Sequence, residues 1–355
     1  MKTRPLKNYK GSIGCEVYDI DLMNCTDEEI VEIGKIVEDQ CNVFINSPGL
    51  TKEKHYKIMT QWGTPSRALV HNWLVDKKVS GPHWRNVLAN IGYVARGIHD
   101  KDSEKDMSPG MSYVSFRKDE NGRPIGIFAN GELTWHSDQC ALDDAPRVNG
   151  LLSLSDSANS QTDFLQTYDV WERLSSDMQS MIKELRVKHI WRPKWLAGDL
   201  DLAQQELTRY NMVAVDGQET PLYSETANGR PGIKFPSYTF NGFVGMNDAE
   251  SWQLHSYLSS LIYDPQWIYQ HQWQDGQVMY FDQSICLHRR PTNITDGNKR
   301  LMSRVVVYMD KLYPDEKNKP RDYVLFEGKK LSHDEFVKVV DADRLEKFKN
   351  SKELY

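Results

Sequence analysis

Residues 269–289 read "YQHQWQDGQVMYFDQSICLHR". The stretch is a β-rich run, and within it an apolar strand ends at His288. Beyond the polar turn "PTNITDGN" (291–298) comes a second β-rich run, "KRLMSRVVVYMD" (299–310). Working upstream, "RVNGLLSLSD" (147–156), "NVFI" (42–45) and "GCEVYDIDL" (14–22) read as further strands.

Helices are signalled between these strands. In "CTDEEIVEIGKIVEDQC" (25–41), Thr26 is a candidate N-cap with Glu29 three residues on, and Ile30, Ile33 and Val37 recur at helical spacing. "LTKEKHYKIMTQWG" (50–63) is a second helix stopping at Gly63. "TYDVWERLSSDMQSMIKEL" (167–185) reads as one helix with Val170, Leu174, Met178 and Ile182 on a face. "MNDAESWQLHSYLSSLI" (246–262) carries Asn247 and Glu250 in capping-box positions. Strands flanking a helical middle predict a mainly β chain with helices, a sandwich or barrel carrying helical decoration. One domain over 1–355 is expected. A Pro/Gly-rich charged stretch at 75–125 is read as a lid or a solvated insertion, and a charged, helical extension is expected at 314–355.

Composition narrows the function classes. The chain has 355 residues, a net charge of −6, ten Trp and seventeen Tyr. The aromatic content calls for a large packed interior, and the charge lacks the basic footprint of a nucleic-acid binder. No run approaches a membrane span. Five widely spaced Cys without a CxxC pair read as reduced thiols in a cytoplasmic protein.

"GELTWHSDQCAL" (131–142) holds His136 and Asp138 at a spacing of two. Ten His and fifty acids produce about one such pair by chance, and His333 with Glu335 in the charged tail is a decoy of that kind. The first pair differs in its apolar setting, in the convergence of alternate residues on one strand face, and in having a distant partner in His288. Two His and one carboxylate with open positions suit a non-haem Fe(II) centre that admits a chelating cosubstrate and O2. A chelating 2-oxo acid leaves a far carboxylate in need of a cation. Arg300 and Arg304, four apart with Met302 between, are inward-facing candidates; two structural salt bridges are the alternative.

The ordered set of motifs resembles the TauD/TfdA family of Fe(II)- and 2-oxoglutarate-dependent dioxygenases. "GCEVYDIDL", "NVFINSPGLTKEKHYKIMTQWGTPS", "WHSDQ", "NSQTDF", "GMNDAESWQLHSYL", the 269–289 stretch and "RLMSR" match in order, over about 10–310. The resemblance implies a double-stranded β-helix, a jelly roll with flanking helices. It implies His136, Asp138 and His288 as iron ligands and catalytic centre. It also implies Thr162 and Arg300 as the grip on the far carboxylate of 2-oxoglutarate. Asn159–Ser160 depart from the family's Gly pair. The activity implied is hydroxylation of an unactivated C–H bond with release of succinate and CO2; desaturation, cyclisation or oxidative cleavage at the same site is the alternative. Asp138 stands where family halogenases carry a small residue, so halogenation is not expected.

Substrate contacts are read from Arg304, which suits a carboxylate, sulfonate or phosphate, and from Glu132, which suits an amine or is a loop residue beside Gly131. His71 and Trp73, in "ALVHNW", lie where this family often places substrate contacts. The expected partner is a small molecule with an anionic group, with no nucleic acid and no membrane. A homo-oligomer is left open.

Overall fold

The computed structural model describes residues 1–8, 11–66, 111–115, 117, 133–138, 140–143, 145, 147–190, 218–236, 239–291, 299–321, 323–326, 329–332 and 335. The N-terminal part runs β1 (Lys2–Lys7), β2 (Ser12–Tyr18), α1 (Asp27–Gln40), β3 (Asn42–Asn46), α2 (Lys52–Trp62) and β4 (Met111–Ser115). The middle contains β5 (Leu133–His136), β6 (Arg147–Ser155), β7 (Gln161–Gln166), α3 (Tyr168–Arg173), α4 (Ser176–Glu184) and β8 (Arg186–His189). There follow β9 (Glu219–Pro221), β10 (Tyr223–Glu225), β11 (Pro231–Ile233), β12 (Phe240–Phe243) and α5 (Asp248–Ile262). The last part holds β13 (Tyr269–Gln272), β14 (Gln277–Asp282), β15 (Cys286–Arg290), β16 (Leu301–Tyr308), β17 (Tyr323–Phe326) and β18 (Lys329–Ser332).

A seven-stranded sheet has the order β1-β2-β3-β14-β6-β16-β4, and a four-stranded sheet the order β13-β7-β15-β5. Among the described strands, pairing is antiparallel except between β2 and β3. Alternation along the strands builds three layers of core. On β14, Val278 and Tyr280 point to a core shared with Ile30, Ile33 and Val37 of α1 and Ile58, Met59 and Trp62 of α2. Met279 and Phe281 point the other way, into a core between the sheets with Phe44, Leu151, Phe164, Cys286 and Met302. Trp135, Leu165 and Leu287 leave the smaller sheet outward, onto Val170, Ile182 and Leu258 of the helices. Each large side chain buried this way contributes about 1.5–3 kcal/mol, which fixes the register: a one-residue slip would invert every face. The result is the double-stranded β-helix that the resemblance implied.

Local signals explain the helix starts. Thr26 Oγ1 accepts the Glu29 N–H at 3.2 Å while Glu29 Oε2 accepts the Thr26 N–H at 2.9 Å. Asn247 and Glu250 form the same reciprocal pair at 3.0 Å each way. Residues 167–185 differ from the expected single helix. Leu174 is extended at φ −72°, ψ 147°, and α4 restarts with the Ser175 hydroxyl accepting the Met178 N–H at 3.3 Å. A serine offering the backbone its own cap competes with continuation of the helix. The apolar face survives the break, because Val170, Leu174, Met178 and Ile182 all pack into one core. The expected helical tail is also corrected at 323–332, where β17 and β18 form an antiparallel hairpin. Aromatic and β-branched residues followed by Gly328 are a hairpin signal that the surrounding charge masks. Within 75–125, Met111–Ser115 is a strand at the edge of the large sheet, paired with β16; most of that stretch lies outside the described residues. Among the described residues, no helix is long and apolar enough to cross a membrane.

Three histidines away from the metal centre are held neutral by the packing. Burial lowers His55 and His189 to about 3 and His271 to about 4. His55 has no hydrogen-bond partner at either nitrogen among the described residues, whereas His189 meets the hydroxyls of Thr239 and Thr220 at 2.8 Å each. In the unfolded chain each takes a proton near pH 6.5, whereas the folded chain does not until far lower. The unfolded state therefore binds more protons below pH 6.5, and stability falls as pH drops from there towards 4. Each such group removes about 2 kcal/mol by pH 5. Melting temperature measured from pH 7 to 5 should fall for the wild type and fall less steeply for His55→Leu. Equal slopes would show that His55 is charged in the fold.

Candidate metal centre

β15 pairs with β5 so that His288 lies opposite His136, and the two imidazole centroids are 4.2 Å apart. β5 ends at His136. Asp138 thus sits in the turn beyond the strand and not two places along it, a correction to the strand reading; the turn brings it back over the same face. Ligand-capable atoms of His136, Asp138 and His288 all lie within 4.8 Å of one another, with His136 Nε2 3.8 Å from Asp138 Oδ1.

Neighbouring groups orient each donor. His136 Nδ1 is 2.6 Å from the Thr134 carbonyl. A carbonyl only accepts, so Nδ1 carries the proton and the Nε2 lone pair is left for a metal. His288 packs against Phe164 and Phe281, and its buried Nδ1 has no hydrogen-bond partner among the described residues. Asp138 Oδ2 accepts from Arg304 Nε at 3.0 Å, Arg304 Nη2 at 2.6 Å and Asn149 Nδ2 at 2.7 Å. Three donors occupy Oδ2, so Oδ1 is the oxygen that faces the histidines.

Electrostatics set the protonation states. Burial lowers both histidines, His288 to about 3 with the His136 charge adding to the effect. Burial opposes ionisation of Asp138, but Arg304 and the two histidines outweigh it and hold the carboxyl well below its usual range. Two neutral nitrogens and one ionised oxygen at neutral pH are the donor set that fits Fe(II). Asn149 is a residue that motif reading passed over, although its position two before Leu151 on an alternating strand places it inward. Asn149→Ala should reduce metal affinity by about 10- to 100-fold, the usual penalty for losing a group that orients a ligand, as read by competition with a metallochromic chelator.

Thr162, Arg290 and Arg300 are further buried polar side chains on the strands of the two sheets or at their ends. Thr162 shares a face of β7 with Phe164, and its Oγ1 accepts the indole N–H of Trp273 at 2.9 Å. That leaves the hydroxyl proton of Thr162 for another acceptor. Arg300, immediately before β16, is 2 % exposed, and its carbonyl accepts from the Ser115 hydroxyl at 2.8 Å. Burial lowers it to about 10. Arg290, 3 % exposed, is lowered to about 9, by burial and then by Arg300. Asn159, in place of the usual glycine, takes the left-handed backbone at φ 66°, which asparagine tolerates better than other side chains. Cys140 and Cys286 are buried thiols, raised by burial, with Cys286 Sγ 3.3 Å from Asn42 Oδ1 and Cys140 Sγ 3.6 Å from Thr239 Oγ1. His71, Trp73, Glu132 and His333 lie outside the described residues.

A jelly roll carrying two His and one carboxylate at the mouth of its smaller sheet defines the class of non-haem iron oxygenases. The chain matches the family described as taurine catabolism dioxygenase TauD, TfdA family, over residues 2–306. It belongs to that family and is a 2-oxoglutarate-dependent dioxygenase, using Fe(II), 2-oxoglutarate and O2. A pentalenolactone F synthase of Streptomyces arenae is 25% identical over 284 residues, 70% of this chain and 94% of that protein. The alpha-ketoglutarate-dependent 2,4-dichlorophenoxyacetate dioxygenase of Cupriavidus pinatubonensis is 25% identical over 46% of this chain and 56% of that protein. Among solved structures, a taurine dioxygenase from Burkholderia xenovorans superposes with a TM-score of 0.58 at 19% identity, covering 93% of this chain and 94% of that one. AAD-2 in complex with Mn(II) and N-oxalylglycine superposes with a TM-score of 0.59 at 15% identity, covering 86% of this chain and 96% of that one. Both show the shared fold.

Proposed function

We propose that His136, Asp138 and His288 hold the iron, that Thr162 and Arg300 hold the far carboxylate of 2-oxoglutarate, and that the substrate is a small anionic or amino-acid-like molecule hydroxylated at an unactivated C–H bond. When bound, iron and 2-oxoglutarate supply the oxidation: O2, 2-oxoglutarate and R–H give succinate, CO2 and R–OH. The protein's own residues do the positioning. Phe164 and Phe281 wall His288 from water, Thr134 fixes the His136 tautomer, and Arg304 with Asn149 directs one carboxylate oxygen inward. No side chain has to move a proton in this arrangement.

The observation that carries the substrate class is Arg304. Its Nε and Nη2 bind Asp138 while, among the described residues, Nη1 reaches only the Ser112 hydroxyl at 3.4 Å. The side chain keeps 17% of its exposure, and in this reading the Nη1 edge of the guanidinium meets the anionic group of the substrate. Glu132 and His71 are the further candidates for substrate contact, Glu132 for an amine. Substrate-dependent succinate release, measured across amino acids, sulfonates, phosphonates and their uncharged analogues, tests the reading. Release triggered by anionic compounds supports it, and release triggered best by uncharged ones contradicts it. Desaturation, cyclisation or cleavage in a biosynthetic pathway is the second reading, supported by the relative that is a synthase; product masses separate it from hydroxylation.

A further inference from the structure

The printed ladder between β5 and β15 stops at His136 opposite His288, and Asp138 lies beyond it. Its carboxylate is gripped by Asn149 and Arg304, but a side-chain grip does not place the backbone that carries it. Ser137, between the proposed ligands His136 and Asp138, is buried, and its hydroxyl donates to the Gln283 carbonyl at 2.6 Å. Gln283 sits in the connection from β14 to β15, on the way to His288. One hydroxyl thus joins the segment bearing His136 and Asp138 to the segment leading to His288, just past the end of the ladder.

Two more bonds close a ring. The Gln283 N–H donates to the Arg147 carbonyl at 3.0 Å, and Arg147 Nη2 returns to the Asp138 carbonyl at 3.5 Å. Inside the turn the Cys140 N–H donates to the Ser137 carbonyl at 3.2 Å. The anchor itself is held on both sides of Gln283. The Asp282 N–H donates to the Cys41 carbonyl at 2.9 Å, the Ser284 N–H to Asp282 Oδ1 at 2.7 Å, and the Thr167 N–H to the Ile285 carbonyl at 2.8 Å. A tether fixes a turn only when its far end is itself fixed, and here it is. Donor atoms of the three proposed ligands lie within 4.8 Å of one another, a spacing that the fold supplies ahead of the metal. We propose that Ser137 is a positioning residue for the metal centre, its hydroxyl holding the Asp138 turn at ligand distance from His288 through Gln283. The proposal rests on the assignment of His136, Asp138 and His288 as the ligands. Without the hydroxyl, the buried Gln283 carbonyl loses a donor and the ring around the turn is open.

The test uses Co(II) alone as the probe, because its d–d absorption reports the number and geometry of its donors. Wild type and variants are titrated with Co(II) against a competing chelator, and their melting temperatures are measured without added metal. Ser137→Ala is expected to weaken Co(II) by about 10-fold, the lower end for losing a group that orients a ligand, and to shift the d–d bands. Ser137→Thr keeps the hydroxyl and should restore the bands and bring affinity back to within about threefold of wild type. Ser137→Cys, similar in size with a weaker donor, should fall between serine and alanine, and it carries the test if the alanine variant does not fold. A lowered melting temperature in Ser137→Ala beside wild-type affinity and bands would make the hydroxyl a prop for the fold alone and overturn the proposal. So would Thr and Cys variants as weak as Ala. Asp138→Ala separates this outcome from failure of the ligand assignment. If wild type binds Co(II) no better than Asp138→Ala, the assignment fails and the positioning role with it. If Asp138→Ala loses affinity and Ser137→Ala does not, the positioning role alone falls.

Discussion

Replacing His288 with alanine is expected to give a folded protein that retains no iron and releases no succinate. The two histidines face each other on adjacent strands, and Asp138 Oδ1 completes the set from the following turn. Removing one of three donors leaves a site with a single nitrogen. A loss of about 4 kcal/mol in binding is already ~10³-fold in affinity, so iron measured after desalting should fall to background. His288→Gln, closer in volume, guards against a cavity effect between Phe164 and Phe281 and should give the same loss. Iron retained at wild-type levels in either variant would remove His288 from the centre.

Arg300→Gln is expected to weaken 2-oxoglutarate by about 10²- to 10³-fold, in the range for breaking a buried charge pair, while iron stays bound. The side chain is almost wholly buried, and in the proposed assignment it is the cation that the far end of the dicarboxylate requires. Thr162→Val should lose less, because it removes one neutral donor, and the loss is checked in the same anaerobic titration. Unchanged affinity in Arg300→Gln would move the far carboxylate elsewhere.

The parts of the structure legible in the sequence are those set by local or periodic signals. Two capping boxes, at Thr26–Glu29 and Asn247–Glu250, located α1 and α5, because a side chain and its backbone partner three residues on need no distant help. β-rich composition located the runs that form β14, β15 and β16. Pairing of β5 with β15 was legible only through the chemistry, since nothing local links residues about 150 apart. Elsewhere tertiary or competing local effects prevailed. Ser175 broke a helix whose apolar face was continuous across the break. Charge in the tail hid a hairpin. Asp138 proved to be a turn residue whose direction is fixed by Asn149 and Arg304, on two neighbouring strands of the facing sheet.

In the proposed assignment Fe(II) and 2-oxoglutarate bind together on the inner face of the smaller sheet, with Arg300 reaching in from the start of β16. Anaerobic titration of the Fe(II)-loaded protein with 2-oxoglutarate, followed by visible charge-transfer absorbance, reads this binding. The expected result is a band that saturates at one equivalent per chain in the wild type. It should be absent in Asp138→Ala and His288→Ala and require far more 2-oxoglutarate in Arg300→Gln. A folded, iron-loaded wild type that gives no band, or a band that survives loss of His288, would contradict the assignment.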